Sequence, residues 1–428
     1  MERLLAVTIG MADTLMVSSV NEAAISGVSI VDAINFLLIQ IFAALATGGT
    51  VVVSQYLGNK DRKRACIAAK QLFYVMFSVS IILTAVSLLW CRQILHLVYG
   101  NIDAEVMKNA ETYYRLTACS YPFLAFYNAG AALFRSMNNS KIPMFTALIM
   151  NIINIGGNSV LIYGYNMSVA GAGTASLASA IFAAIFITYL ITRKKYIVHV
   201  EKLCTPEINF TMIRRVLRIG VPNGVENGMF QIGKLMVQSL ITLFGTSAIA
   251  ANAVSGNITN IVTIPGIAMQ LALITVTGQC VGAGDYEQAK YYTKKLIKIS
   301  YASIMLLSAV IFFFANPIVG IFTTLSPSAA ESSVHILRSF AVFCSAIWVP
   351  SFVTPNTMRA SGDVKFSMIT SVLSMWIFRI GFSYLMVKYF FNYGMITTWY
   401  AMYLDWIVRA IVFTIRYKSG KWMNFHVI

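Results

Sequence analysis

Twelve apolar runs, separated by short polar stretches, dominate this chain. They cover roughly 1–20, 29–57, 67–91, 113–134, 142–164, 172–192, 219–244, 248–281, 292–315, 336–358, 366–387 and 396–415. Most hold the ~20 residues a helix needs to cross a bilayer. No water meets the backbone in hydrocarbon, so segments of this length satisfy their amides only as α-helices. With 58% hydrophobic and 11% charged residues, the chain is no soluble domain. The expected fold class is an all-α polytopic membrane protein.

The basic residues say which way up it sits. Twenty-four Lys and Arg fall in alternate loops, the long central connector and the C-terminal tail; four fall in the opposite loops. By the positive-inside rule the first set is cytoplasmic, so the C-terminus is inside and the chain is a multi-pass protein of the plasma (inner cell) membrane. The net charge of +16 then reports topology and not nucleic acid. The six cysteines are scattered without a C-x-x-C and read as small core side chains. The four histidines are too dispersed for a metal site, and no cleavable signal precedes the first run. No clustered Ser/His or His/Asp constellation suggests an enzyme, and no G-x-x-x-x-G-K-[ST] loop suggests ATP; no cofactor is expected.

Val52-Val53-Ser54-Gln55-Tyr56-Leu57-Gly58-Asn59-Lys60-Asp61 lies against Val276-Thr277-Gly278-Gln279-Cys280-Val281-Gly282-Ala283-Gly284-Asp285 at an offset of 224. The same offset pairs Ala24-Ile25 with Ala248-Ile249, Lys70 with Lys294, Arg135 with Arg359, Lys141 with Lys365 and Met144 with Met368. One register held over more than a hundred residues is a duplication of a six-helix unit. An even helix number puts both copies the same way up, the parallel-repeat plan of secondary transporters, which bind substrate between the halves. The expected organisation is an N-lobe over 1–192, a cytoplasmic linker over 193–218 acting only as a tether, and a C-lobe over 219–428. Pro222 minus 224 falls before Met1, so the first segment lacks its lead-in; the expectation is a start upstream of Met1, or a natural truncation.

Polar groups inside the spans are the candidate sites. Asp13 sits in the first segment, where a charged Asp costs several kcal/mol (roughly 2.5–3.5 at a helix centre) unless it faces a cavity or a partner. It is a candidate ion or proton site, with interfacial solvation as the plainer reading. Glu226 and Lys234 lie in segment seven, about two turns apart and too far for a direct pair. Both are candidates for C-lobe coupling or substrate contact. Lys234, Arg338 and Arg379 are mid-span cations, Asp405 and Arg409 an i, i+4 pair that neutralise one another, and Asp32 a solvated acid near the outer end of its segment. Arg135 and Arg359, at equivalent helix ends, read as anchors pairing with acids or lipid phosphates.

Several of these stretches resemble the multidrug and toxic compound extrusion (MATE) family: Gly10-Met11-Ala12-Asp13-Thr14-Leu15-Met16-Val17, Ser54-Gln55-Tyr56-Leu57-Gly58, Gln279-Cys280-Val281-Gly282-Ala283-Gly284, and Met358-Arg359-Ala360-Ser361-Gly362. Gly171-Ala172-Gly173-Thr174-Ala175 also fits, and the match runs over the whole chain but its start. The resemblance implies a V-shaped pair of six-helix lobes that exports amphiphilic, often cationic compounds in exchange for Na⁺ or H⁺. It places the family's first-helix acid on Asp13, a position that could hold Na⁺, and the fifth-helix polar pair on Asn154 and Asn158. The second of that pair is an Asp in some relatives, and segment six carries no acid, so a full carboxylate cluster is not expected. The expected function is an antiporter for amphiphilic or cationic drugs, monomeric, whose partners are small molecules and the lipid bilayer and not nucleic acid. The alternative is a lipid-linked precursor flippase of the same superfamily.

Overall fold

The computed structural model describes residues 16, 22–100, 103–201, 203, 205, 207–322, 325–425 and 427–428. The described residues form helices joined by tight turns. In order they are α1 (Glu22–Gly58), α2 (Arg62–Leu89), α3 (Cys91–Tyr99), α4 (Ala104–Ser136), α5 (Lys141–Asn158) and α6 (Ser168–Ile191). Then come α7 (Phe210–Ile241), α8 (Thr246–Gly282), α9 (Tyr286–Gly320), α10 (Pro327–Phe343) and α11 (Pro355–Ser361). The last are α12 (Val364–Ser374), α13 (Phe382–Tyr389) and α14 (Ile396–Lys418). Widened π turns at Ser159–Gly164, Cys344–Val353 and Met375–Gly381 extend α5, join α10 to α11, and join α12 to α13. Eight of these rods are long and apolar enough to cross a membrane. α4, α7 and α14 are also long but more polar along their length. The apolar segments from the second to the twelfth are thus all helical; the first, with Asp13, lies outside the described residues apart from Met16.

The duplication is visible in the helix ends. Adding 224 to both ends of α1 gives both ends of α8. The first residue of α2 maps onto the first residue of α9. The turns between them share their chemistry: Asp61 caps α2 by accepting from the Arg64 amide, and Asp285 caps α9 by accepting from the Gln288 amide, both at 2.9 Å. Lys60 and its equivalent Gly284 both hold positive φ (59° and 74°), as do Asn138 and Gly362 (59° and 107°). Glycine takes that backbone state freely and asparagine with little strain. The break between α2 and α3 at Trp90 (φ −112°, ψ 26°) recurs inside α9 at Phe314 (φ −102°, ψ 19°), again 224 residues on.

The chain divides into two compact units between Gly224 and Val225, inside α7 and six residues past the boundary expected from hydropathy. In the first unit α4 packs on α1, α2 and α6. Close approach brings α1 against the start of α7: a Cβ at Gly48 would lie 2.5 Å from the Val216 carbonyl oxygen and 2.8 Å from the Gly220 amide nitrogen. In the second unit α8 packs on α9, α10 and α11, and α14 on the π turns, around Trp348, Phe340, Trp399, Tyr403 and Trp406. Large apolar side chains such as Leu97, Ile152, Leu235, Leu306 and Phe313 stand exposed on the rods, as a lipid-facing surface requires.

The connector docks on the end of α2. Lys70 on α2 reaches Glu207 at 3.1 Å, Gln71 donates to the Glu207 carbonyl at 2.7 Å and accepts from the Asn209 amide at 3.0 Å, and Tyr74 donates to the Thr205 carbonyl at 2.7 Å. Arg215 bonds the Tyr56 hydroxyl. The polar end of α2 thus satisfies backbone groups that would otherwise need water, and α7 already begins at Phe210 within the expected linker. Nearby, Lys194 lies 2.9 Å from Glu201 and, with His199, holds that carboxyl below its ordinary range.

Candidate functional site

On α7 Glu226, Asn227, Phe230 and Lys234 follow Asn223 at spacings of three, four, seven and eleven. Those spacings put them on one helix face. Glu226 is buried, and its Oε1 accepts from Nη2 of Arg359 on α11 at 2.6 Å. The guanidinium is held by a second bond, Nη1 to Asn356 Oδ1 at 2.9 Å, and Asn356 in turn donates to the Phe352 carbonyl at 2.7 Å. That carbonyl belongs to the π turn Cys344–Val353, whose altered hydrogen-bond pattern leaves carbonyls open to side chains. The second oxygen of Glu226 is buried without a hydrogen-bond partner among the described residues.

A second charged pair stands across from the first. Arg409 on α14 donates through Nε to Asp405 at 2.8 Å and through Nη2 to the Ser371 carbonyl at 2.9 Å. Ser374 adds a 2.6 Å bond to the same Asp405 oxygen. This is the i, i+4 neutralisation expected from spacing, yet Arg409 is only 2% exposed, so it is a core group and not one of the tail's topology charges. Phe230 joins the pairs. Lys234 Nζ and the guanidinium carbons of Arg379 and Arg409 lie 5.2, 5.5 and 5.6 Å from its ring centroid. Glu226, Phe230, Gln270, Phe352, Arg359 and Arg409 are among the walls of a cavity of about 150 Å³. It offers acidic, basic and aromatic surface in one small space. No group of three metal-ligating side chains occurs among the described residues.

The structure separates the other candidates. Asn154 and Asn158 are fully buried on α5 in the first unit, with Asn151 beside them on the same face. Asn154 donates to Ser176 at 3.1 Å, and its Oδ1 is buried without a partner among the described residues. Asp13, the acid expected to face them, lies outside the described residues; Tyr163, at the end of the same rod, donates to the Met16 carbonyl at 3.4 Å. Asp32 is not the solvated acid expected: it is partly buried and accepts from Tyr113 at 3.2 Å. Lys234 joins the second-unit cluster through Phe230, whereas Arg338 is exposed on α10, away from the cavity walls. Sequence reasoning missed Phe230, Asn227, Asn356 and Gln270 as site residues. The i, i+4 spacing of Phe230 from both Glu226 and Lys234 was the available signal.

Comparison with known proteins sets this geometry in context. The MatE family model matches residues 1–160 and 222–385. The "Probable multidrug resistance protein NorM" of Thermotoga maritima is 25% identical over 98% of this chain and 90% of its own length. The "Uncharacterized transporter YisQ" of Bacillus subtilis is 25% identical over 97% of this chain and 91% of its own. Among solved structures, a "MATE in the bent conformation" superposes with a TM-score of 0.90 at 20% identity, covering 97% of this chain and 92% of its own. A MOP superfamily transporter from Pyrococcus furiosus, described with a "reverse polarity of binding pocket", gives the same TM-score and identity over 99% and 94%.

Proposed function

The chain belongs to the MatE family, and from that premise we propose that it is a secondary active antiporter exporting amphiphilic or cationic drugs and xenobiotics in exchange for Na⁺ or H⁺. It is a multi-pass membrane transporter and not an enzyme. The names of its relatives, multidrug resistance proteins among them, support drug export as the task. The observation that carries gradient coupling is Glu226: a buried carboxylate at the wall of a cavity, half satisfied by Arg359, whose other oxygen has no partner among the described residues. A buried acceptor left open in this way can receive a donor or a small cation. Asp13, with Asn154 and Asn158, is the proposed counterpart in the first unit. The protein acts as a monomer in the plasma membrane with its C-terminus in the cytoplasm. The test is dye efflux from everted vesicles with a Na⁺ gradient and a pH gradient imposed separately. One of the two should drive efflux; efflux that proceeds equally with neither rejects the antiport reading.

A second reading, a flippase for lipid-linked precursors, draws support from the balance of charge near Phe230 and Glu226, where Arg359, Arg379, Arg409 and Lys234 outnumber Glu226 and Asp405. Transfer of a pyrophosphate-linked lipid across proteoliposomes, with no export of cationic dye, would favour it.

A further inference from the structure

Two helix faces related by the duplication carry different chemistry. On α2 four groups hold the connector. The Cys66 thiol lies 3.9 Å from the Ile197 carbonyl, Lys70 reaches Glu207, Gln71 binds the backbone at Glu207 and Asn209, and Tyr74 donates to the Thr205 carbonyl. Adding 224 gives Lys290, Lys294, Lys295 and Lys298 on α9, so each of these four positions is a lysine in the second unit. Lys70 and Gln71 are buried, whereas Lys294, Lys295 and Lys298 are exposed. Lys290 pairs with Glu287 at 2.8 Å; the other three make no ion pair among the described residues. Like charges one turn apart on a helix repel, and Lys290, Lys294 and Lys298 stand at successive i, i+4 positions. The other sides of α9 pack on α8, α10 and the π turn Cys344–Val353. The lysine face then changes character along the helix. Ala302, Met305, Leu306 and Ala309 follow Lys298 at spacings of four, seven, eight and eleven, which keeps them on its side, and all four are exposed.

We propose that this face of α9 binds an anionic phospholipid, its phosphate on Lys294, Lys295 and Lys298 and an acyl chain along the apolar stripe. A cationic patch continuous with an apolar one has the order of a lipid, charge at the membrane surface and hydrocarbon behind it. Lysine stems lie along apolar surface while their ammonium groups reach the headgroup level. Tyr291, exposed and 5.9 Å from the Lys295 ammonium, adds the amphipathic ring that favours that level. A peptide like the connector is the poorer fit. Gln71 both donates to and accepts from the connector's backbone, whereas Lys295 at its place only donates. Each lysine beside an anionic lipid surface strengthens association about fivefold, so three together give about a hundredfold. The site is independent of the compound exported and of the coupling ion.

The test titrates the purified full chain, stripped of lipid in a neutral detergent, with phosphatidylglycerol or with phosphatidylcholine of the same acyl chains. Native mass spectrometry follows the first lipid bound. Phosphatidylglycerol should bind about tenfold or more tightly than phosphatidylcholine. A triple variant carrying Lys294→Gln, Lys295→Gln and Lys298→Gln should lose that preference. A control triple, Lys63→Gln, Lys195→Gln and Lys418→Gln, removes as many exposed lysines from elsewhere and should keep it. Should the first triple fail to purify as monodisperse protein, Lys294→Gln and Lys298→Gln alone read the same loss, at about fivefold each. Glycerol 3-phosphate, which carries the phosphate without the acyl chains, should not displace the lipid even in large excess. Equal affinity for the two lipids, a triple variant that keeps the preference, or a control that loses it equally overturns the proposal. Displacement by glycerol 3-phosphate assigns the face to a soluble anion and overturns it too. No gradient is involved, so the result is separate from drug export.

Discussion

Replacing Arg359 with methionine keeps most of the side-chain volume and removes the charge that faces Glu226. In the wild type the pair is close (2.6 Å) and nearly dry, with side-chain exposures of 13% and 9%. Breaking one side of such a pair leaves a buried carboxylate with both oxygens unsatisfied, at a cost of about 3–5 kcal/mol. Loss of the 2.9 Å bond from Arg359 to Asn356 is contained in that figure. For a unit the size of Val225–Ile428, each kcal/mol moves a thermal midpoint by about 2–4 °C. The Arg359→Met midpoint should therefore fall by roughly 6–20 °C. Glu226→Gln leaves the guanidinium with a neutral acceptor and should cost less. The double variant removes both charges together with their desolvation, and should return to within about 1 kcal/mol of the wild type. The assay is thermal unfolding of the four proteins in one neutral detergent, followed by intrinsic fluorescence and by the monodisperse fraction. The reasoning fails if Arg359→Met stays within about 0.5 kcal/mol of wild type, or if the double variant loses the sum of the two singles.

Asp13→Asn should yield folded, inserted protein that binds substrate yet exports nothing against a gradient; everted-vesicle efflux at matched expression checks this, and wild-type export would move coupling to Glu226. Gly48→Ala forces a Cβ against two backbone atoms of α7 and should lower the midpoint by the equivalent of about 1–3 kcal/mol, with no loss meaning that α7 shifts freely on α1. Trp422, fully buried and stacked on Tyr417 at 5.8 Å, anchors the tail; Trp422→Ala should cost about 3–5 kcal/mol and expose residues 419–428 to protease, and a tail equally resistant in both proteins would refute the anchor. Because Lys194 depresses the Glu201 carboxyl, that contact is fully present above the ordinary value of 4.5 and fades as pH falls through the lowered one. Hydrogen exchange over residues 193–201 should therefore be slower at pH 7 than at about pH 3 after correction for intrinsic rates, and equal protection would rule the contact out.

The rods and their duplication were legible because their causes are local. A run of apolar residues commits its own backbone to a helix in hydrocarbon. Asp61 and Asp285 cap the helix that begins one residue later, and Lys60 and Gly284 turn the chain within the same few residues. Such signals survive without any knowledge of neighbours, which is why one offset of 224 predicts both ends of α8 from those of α1. The choice of charge partners was not local. Glu226 and Arg359 are 133 residues apart, and hydropathy gave Arg359 to a helix end. The connector read as a tether because its docking groups on α2, Gln71 and Tyr74, bind backbone carbonyls and an amide that have no sequence signature. Helical spacing shows that Phe230 shares a face with Glu226 and Lys234. Only the packing of α7 against the π turns and α14 brings Arg379 and Arg409 to that face. An apolar pattern specifies that a helix forms; which of its sides meets which neighbour depends on shape and charge contributed by distant parts of the chain, and that decided where the cavity lies and which charged groups line it.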